Sequence, residues 1–202
     1  YMQKQFLDAS GIVSPHPDKV LMLDIEASSL RGAVSDVSSS GNLSYPIEIG
    51  VANSRGDVSS YLIKRAENWT DWNGQEGNER VGFIHNISLD ELEQEGRNLK
   101  SVARWLNRVC NDKIVMCDSP DTRCDRFWLD RLFDEAKVTQ AFDLHYIYDY
   151  IDKFDMNFDE AYEQAGIRAT PLHRAGDDAF ALMRLYNSFY AIKVNKQISD
   201  EN

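Results

Sequence analysis

Apolar and polar positions change period several times along this chain. Val20-Leu21-Met22-Leu23-Asp24-Ile25-Glu26 is an apolar run closed by two acids, the pattern of a central buried strand. Ile47, Ile49 and Val51 alternate with Glu48 and Gly50, which predicts a second strand. Residues 58–63 give a third, with Arg55-Gly56-Asp57 as the turn between them. Beyond this meander the period lengthens. A short helix is predicted over 89–96 with Ser88 as its N-cap, and Leu99, Val102, Leu106 and Val109 recur at helical spacing. Residues 113–117 read as a strand and 121–137 as a helix with Trp128, Leu129, Leu132 and Phe133 as its stripe. A fifth strand is predicted over 141–144, and helices over 146–154, 158–165 and 177–192. The polar tail, 195–202, is expected to fray.

Strands first, then strands alternating with helices, predict an α/β fold: a mixed five-stranded sheet flanked by helices. The stretch 28–44 is rich in Ser and Gly and reads as a loop. There is no internal repeat. Residues 1–202 read as one domain, with a core over about 18–193. No apolar run reaches the roughly 18 residues of a membrane span, so no membrane partner is expected. The start at Tyr1 shows no signal peptide. Cys110, Cys117 and Cys124 form no CxxC pair and read as reduced thiols of a cytoplasmic protein.

Composition changes the picture through charge. The formal net charge is −11, whereas a protein that grips long nucleic acid by its phosphates is usually basic. A nucleic-acid substrate would therefore be short, or held by a small basic patch and by metal ions.

Candidate chemistry begins with Asp24 and Glu26. Strand side chains alternate, so these two carboxylates point to one side. At the end of a buried strand they repel each other unless a cation lies between them. A hard-metal site needs further carboxylates from elsewhere. Asp125 shares a helix face with Trp128, Leu129 and Leu132, whereas Asp130 and Asp134 lie off it. Asp178 shares a face with Leu182, Leu185 and Phe189, whereas Asp177 looks outward. Asp125 and Asp178 are the better ligands on this test. His173, just upstream of Asp178, suits a general base near neutral pH.

The ordered set resembles the DEDDh 3′–5′ exonucleases, which include proofreading subunits of bacterial polymerases, ribonuclease T and oligoribonuclease. The resemblance rests on Asp24-Ile25-Glu26, on Cys124-Asp125-Arg126-Phe127-Trp128-Leu129 after a strand, and on His173 with Asp178. It spans residues 20–190. It implies a ribonuclease H-like fold and two Mg²⁺ or Mn²⁺ ions on Asp24, Glu26, Asp125 and Asp178. It also implies His173 as the base that takes a proton from the attacking water. The partner would be a single strand of DNA or RNA with a free 3′ end, and the products nucleoside 5′-monophosphates. Many members follow the first glutamate with two threonines, a glycine and a leucine; here the run is Ala27-Ser28-Ser29-Leu30. Within it Ala27, Ser28 and Leu30 are the substrate-binding candidates, Ser28 by hydrogen bonding a terminal nucleotide and Leu30 by wedging against a base.

His85-Asn86-Ile87 resembles a segment that approaches substrate in some relatives, which makes His85 a binding candidate, and Arg174 is a phosphate candidate beside His173. His16 and His145 read as structural or exposed. Trp69 and Trp72 read as packing a loop onto the core rather than stacking on bases. Lys64 and Arg65 read as a solvated strand edge. Gly176 suggests a mobile His173 side chain that turns away when the site is empty. Asp118 and Asp121, upstream of Asp125, compete with it as the second acid. Two other readings stand beside the exonuclease: a non-catalytic ribonuclease H-like module binding nucleic acid or protein, and a metal phosphohydrolase acting on small nucleotides. The oligomeric state stays open, a homodimer included.

Overall fold

The computed structural model of the chain describes residues 14–30, 43–72, 85–118, 123–151, 158–167 and 173–200. A 3₁₀ turn, Pro17–Lys19, leads into β1 (Val20–Ala27). β2 (Pro46–Asn53) and β3 (Val58–Leu62) follow, then α1 (Leu89–Glu95), α2 (Leu99–Val109), β4 (Ile114–Cys117) and α3 (Arg123–Ala136). β5 (Leu144–Tyr146), α4 (Tyr148–Ile151), α5 (Phe158–Ala165) and α6 (Ala175–Asp200) complete the described elements. The sheet is mixed and five-stranded, in the order β3-β2-β1-β4-β5. β1 pairs antiparallel with β2 and parallel with β4, and β4 runs parallel to β5. The predicted architecture is thus the observed one.

Two layers of helices follow from the alternation within β1. Leu21, Leu23 and Ile25 face one way and pack with Val102, Leu106, Trp128, Leu129 and Leu132 of α2 and α3. Val20 and Met22 face the other way and pack with Leu182, Met183, Tyr186 and Phe189 of α6. A third cluster, Tyr45, Ile47, Trp69, Ile87 and Leu92, seals the region beside α1. Trp69 is buried and stacks on Tyr45 with ring centroids 5.2 Å apart, the packing role expected of it. Ser88 caps α1 by accepting the Glu91 amide at 3.1 Å. Lys64 and Arg65 pair with Glu93 at 3.3 and 3.2 Å on an exposed edge, as expected. No disulfide joins the three cysteines, and burial pushes the Cys110 thiol up to about 12.

Two expectations shift. The fifth strand lies at Leu144–Tyr146 rather than 141–144. The last helix starts earlier and runs on to Asp200, so the segment expected to fray is helical over most of its length. Most of the loop predicted over 28–44 lies outside the described residues, as does Asp121.

The seating of α6 depends on glycine. α6 packs across β1, β2 and β3. A Cβ on Gly50 of β2 would be driven into the backbone of Ala175 and Gly176 at the start of α6. A Cβ on Gly176 would meet the Ser60 side chain at 3.2 Å and Val58 at 3.3 Å. Gly176 therefore serves close packing rather than looseness. Gly50→Ala is expected to destabilise the protein by about 1–3 kcal/mol, because backbone must move to admit the methyl group. Gly176→Ala, which meets side chains able to shift, is expected to cost less. Urea unfolding midpoints check this, and an unchanged midpoint for Gly50→Ala would mean that the helix is not held by that contact.

Candidate active site

The site is built at the end of β1. Asp24 and Glu26 lie on the same side of the strand as Met22, the side that faces α6. Across the antiparallel ladder Asp24 is paired with Gly50 and Glu26 with Glu48. The bare backbone at Gly50 brings the first turn of α6, with Asp178, beside Asp24. Asp125 stands in the first turn of α3, after β4, and is 4% exposed. Asp130 and Asp134 of the same helix are exposed, and so is Asp177 beside the half-buried Asp178. β1 and β4 are parallel, so their carboxyl ends open into one crevice, where α/β sheets characteristically bind ligands.

The acids feel one another strongly. Burial holds the Asp24 carboxyl well above the usual carboxylate range, and Asp125, Glu26, Asp118 and Asp178 add to that in turn. Burial, Asp178 and Glu48 push Glu26 up to about 7, against the opposing effect of Arg174. Asp118 directly follows β4. The residue is exposed as a whole, yet loss of solvent around its carboxyl raises its pKa, a backbone hydrogen bond partly offsets this, and Asp178 adds to it. Both Asp125 and Asp118 thus act on Asp24, and Asp125 acts more strongly.

His173 completes the group. One ligand atom each from Glu26, His173 and Asp178 lie within 4.8 Å of one another. The imidazole is turned inward, contrary to the expectation that it would swing away from an empty site. Its backbone is left-handed, with φ of 53°. The next residue is anchored: Arg174 donates from Nε to Glu48 Oε2 at 3.0 Å and from Nη2 to Glu48 Oε1 at 3.1 Å. The Ala175 amide donates to the same Glu48 carboxylate at 3.1 Å. Arg174 was expected to meet a substrate phosphate; its guanidinium instead grips Glu48, because that buried acid needs a partner. His85 is buried nearby, and its pKa is lowered first by burial, then by His173 and Arg174 against the pull of Glu48. The Ile87 amide donates to its Nδ1 at 3.1 Å.

The residues after Glu26 divide between core and surface. Ala27 is buried in the core beneath α3. Ser28 is buried as well; its hydroxyl donates to Asp71 at 3.3 Å and accepts the Tyr45 amide at 3.0 Å. Ser29 also donates to Asp71. Ser28 was expected to face a nucleotide and instead ties the end of β1 to its neighbours. Leu30 is 53% exposed at the rim. His16 and His145 keep local roles, the first accepting the Asp18 amide at 3.3 Å and the second 3.3 Å from the Tyr150 hydroxyl.

Sequence reasoning missed Glu48 and Asp71. Alternation set Glu48 and Gly50 apart from the apolar positions of β2 without saying what covers them, and both lie under α6. The available signal was the pairing of an acid with a glycine two residues on, because a solvated strand face has no need of the glycine.

Chemically, a crowd of carboxylate oxygens with one imidazole suits a hard divalent cation, which would offset the burial and the mutual repulsion that raise Asp24 and Glu26.

No family model matches the chain, and no curated protein matches it in sequence. Solved structures do resemble it. Exonuclease I of E. coli, in complex with a dA16 oligonucleotide, superposes with a TM-score of 0.60 at 13% identity, over 91% of this chain and 43% of that one. A 3′-exonuclease that recognises the 3′ end of a histone mRNA stem-loop gives 0.59 at 12% identity, over 91% and 65%. The RNase domain of yeast Pop2 gives 0.58 at 9%, over 88% and 78%. The fold is therefore ribonuclease H-like, as the sequence resemblance implied. The chain spans less than half the length of exonuclease I. No helix among the described residues is long and apolar enough to cross a membrane.

Metal-free stability is expected to fall as pH rises. The Glu26 carboxyl holds its proton up to about 7 in the folded chain, whereas the unfolded chain loses it near the ordinary value of 4.5. The folded state thus binds more protons between these limits, and acid favours it there. Thermal unfolding in chelator should give a higher Tm at pH 5 than at pH 8. Mn²⁺ should lift the pH 8 value most, and Asp24→Asn should lift it without metal. A Tm that rises between pH 5 and 8 would contradict the crowding of carboxylates.

Proposed function

We propose that this chain is a metal-dependent 3′–5′ exonuclease that acts on single-stranded DNA or RNA and releases nucleoside 5′-monophosphates. The observation that carries the reading is the crowding of Asp24, Glu26, Asp125 and Asp178 with an inward-turned His173, at the strand end of a fold found in exonucleases. Residues 1–202 would form one catalytic domain.

In this reading Asp24, Glu26, Asp125 and Asp178 would hold two Mg²⁺ or Mn²⁺ ions. Such a pair, when bound, stabilises the charge on the attacking and leaving oxygens of the phosphodiester. The chain supplies the rest. Asp24 and Glu26 come from a rigid central strand, and Asp125 and Asp178 from the first turns of two helices, so the oxygens are set before substrate arrives. His173 removes a proton from the attacking water, a role its proximity to Glu26 and Asp178 supports. Leu30 stands exposed at the rim, suited to wedge beside a terminal base.

The substrate is short, or is held by its end. The chain carries −11, and the cation that eases Glu26, Arg174, is already paired with Glu48.

End-labelled single strands of DNA and RNA, incubated with Mn²⁺ and with chelator, test the reading. Mononucleotides are expected from one end, a 3′-phosphate should block release, and chelator should abolish it. Cleavage of a circular strand would show an endonuclease instead. His173→Ala is expected to lower kcat by about 10²–10⁴ and leave Mn²⁺ binding nearly intact, the usual loss on removing a general base. Near-normal turnover in that variant would remove His173 from the mechanism.

A further inference from the structure

We propose that Glu48 is a positioning residue: through Arg174 and the Ala175 amide it fixes the start of α6, and so sets His173 and Asp178 against Glu26. The inference rests on the nuclease reading for what the positioning achieves, and on geometry alone for the positioning itself.

Glu48 stands beside Glu26 in the antiparallel ladder, on the neighbouring strand, and its side chain is 3% exposed. An acid so buried beside another acid demands compensation. It receives three hydrogen bonds, two from the Arg174 fork at 3.0 and 3.1 Å and one from the Ala175 amide at 3.1 Å. The bidentate geometry fixes direction as well as distance. The amide belongs to the first residue of α6, so Glu48 also satisfies a backbone donor that the helix itself leaves open.

What this holds is the segment with the chemistry. His173 immediately precedes the clamped arginine and has a left-handed backbone, a conformation an unsupported histidine adopts rarely. The carbonyl of Arg174 accepts the amide of Asp178 at 3.0 Å. The residue gripped by Glu48 is thus bonded through its own backbone to the backbone of Asp178, which carries one of the crowded carboxylates. Gly50, two residues along β2 from Glu48, admits the Ala175 and Gly176 backbone and makes the reach short enough. One strand therefore supplies both the contact surface and the anchor.

The test uses Glu48→Gln, which keeps the shape and removes the charge, together with Arg174→Lys and Arg174→Gln. Hydrogen exchange of the metal-free full chain reads the positioning without reference to activity. Amides of 174–178 should exchange about tenfold faster in Glu48→Gln, while those of β1 and α2 stay protected. On single strands kcat should fall about tenfold to a hundredfold with KM within about twofold, as expected for misplacement of reacting groups rather than lost binding. Arg174→Lys, which keeps the charge but not the fork, should lie between wild type and Arg174→Gln. If Glu48→Gln does not fold, Arg174→Gln removes the same pair from its more exposed side and is read in the same ways. Unchanged exchange over 174–178 in a folded variant overturns the proposal, as does a fall in kcat that Arg174→Lys shares in full. A wild-type chain that hydrolyses no strand would overturn the nuclease reading, and the exchange result would still decide the clamp.

Discussion

The first turn of α6 lies against β2 because Gly50 has no side chain, and most of the candidate site depends on that approach. Gly50 is the ladder partner of Asp24. Any side chain there would lift the helix away from the acid it faces. With the helix seated, Asp178 enters the crevice, the Ala175 amide meets Glu48, and Arg174 closes over the same carboxylate. The apolar half of the interface, Met22 and Ala52 against Met183 and Tyr186, drives the helix down. Gly50 decides how close it comes at the polar end.

That approach has an electrostatic consequence. It brings Asp178 to a place where Asp24 and Glu26 are already short of water, and its carboxylate raises the pKa of both further. The fold tolerates the crowd because the acids sit on well-packed supports: β1 within the sheet, α3 through Trp128, Leu129 and Leu132, and α6 through Leu185 and Phe189. Core packing thus offsets repulsion at the crevice. An arrangement of this kind stabilises the folded state most when a cation is bound, so binding and stability are linked.

The legible parts of the sequence were those governed by period. The sheet and its two helix layers follow from the apolar run of β1, the alternation of β2 and the helical spacing of Val102, Leu106, Leu129 and Leu132. Burial faces also distinguished Asp125 from Asp130, and Asp178 from Asp177, because a carboxylate on an apolar stripe is anomalous wherever the helix packs. Contacts between elements were not legible. Glu48 looked like the polar half of an alternating strand, since period cannot tell a solvated face from one covered by a helix far along the chain. Arg174 looked free for phosphate for the same reason. Ser28 looked available until Asp71, far along the chain, proved to be its partner. Gly176 was read as flexibility, although a glycine in a first turn equally permits close packing.

The placement of the cations bears on how an acidic chain would treat a polyanion. Lys100, Arg104 and Arg108 recur every fourth residue on the exposed side of α2. The buried side of α2 packs with Leu21, Leu23 and Ile25, the face of β1 opposite to Asp24 and Glu26. This basic stripe therefore belongs to the layer away from the carboxylates. At the crevice, Arg174 is engaged with Glu48. Among the described residues, phosphate neutralisation by side chains, the usual source of affinity for long strands, is thus weak where the chemistry would occur. Recognition on the exonuclease reading then falls to bound cations and to groups that meet a strand terminus. That division favours ends over length: an internal stretch offers more phosphates but no terminus, and the acids of the crevice repel phosphates unless metal ions intervene.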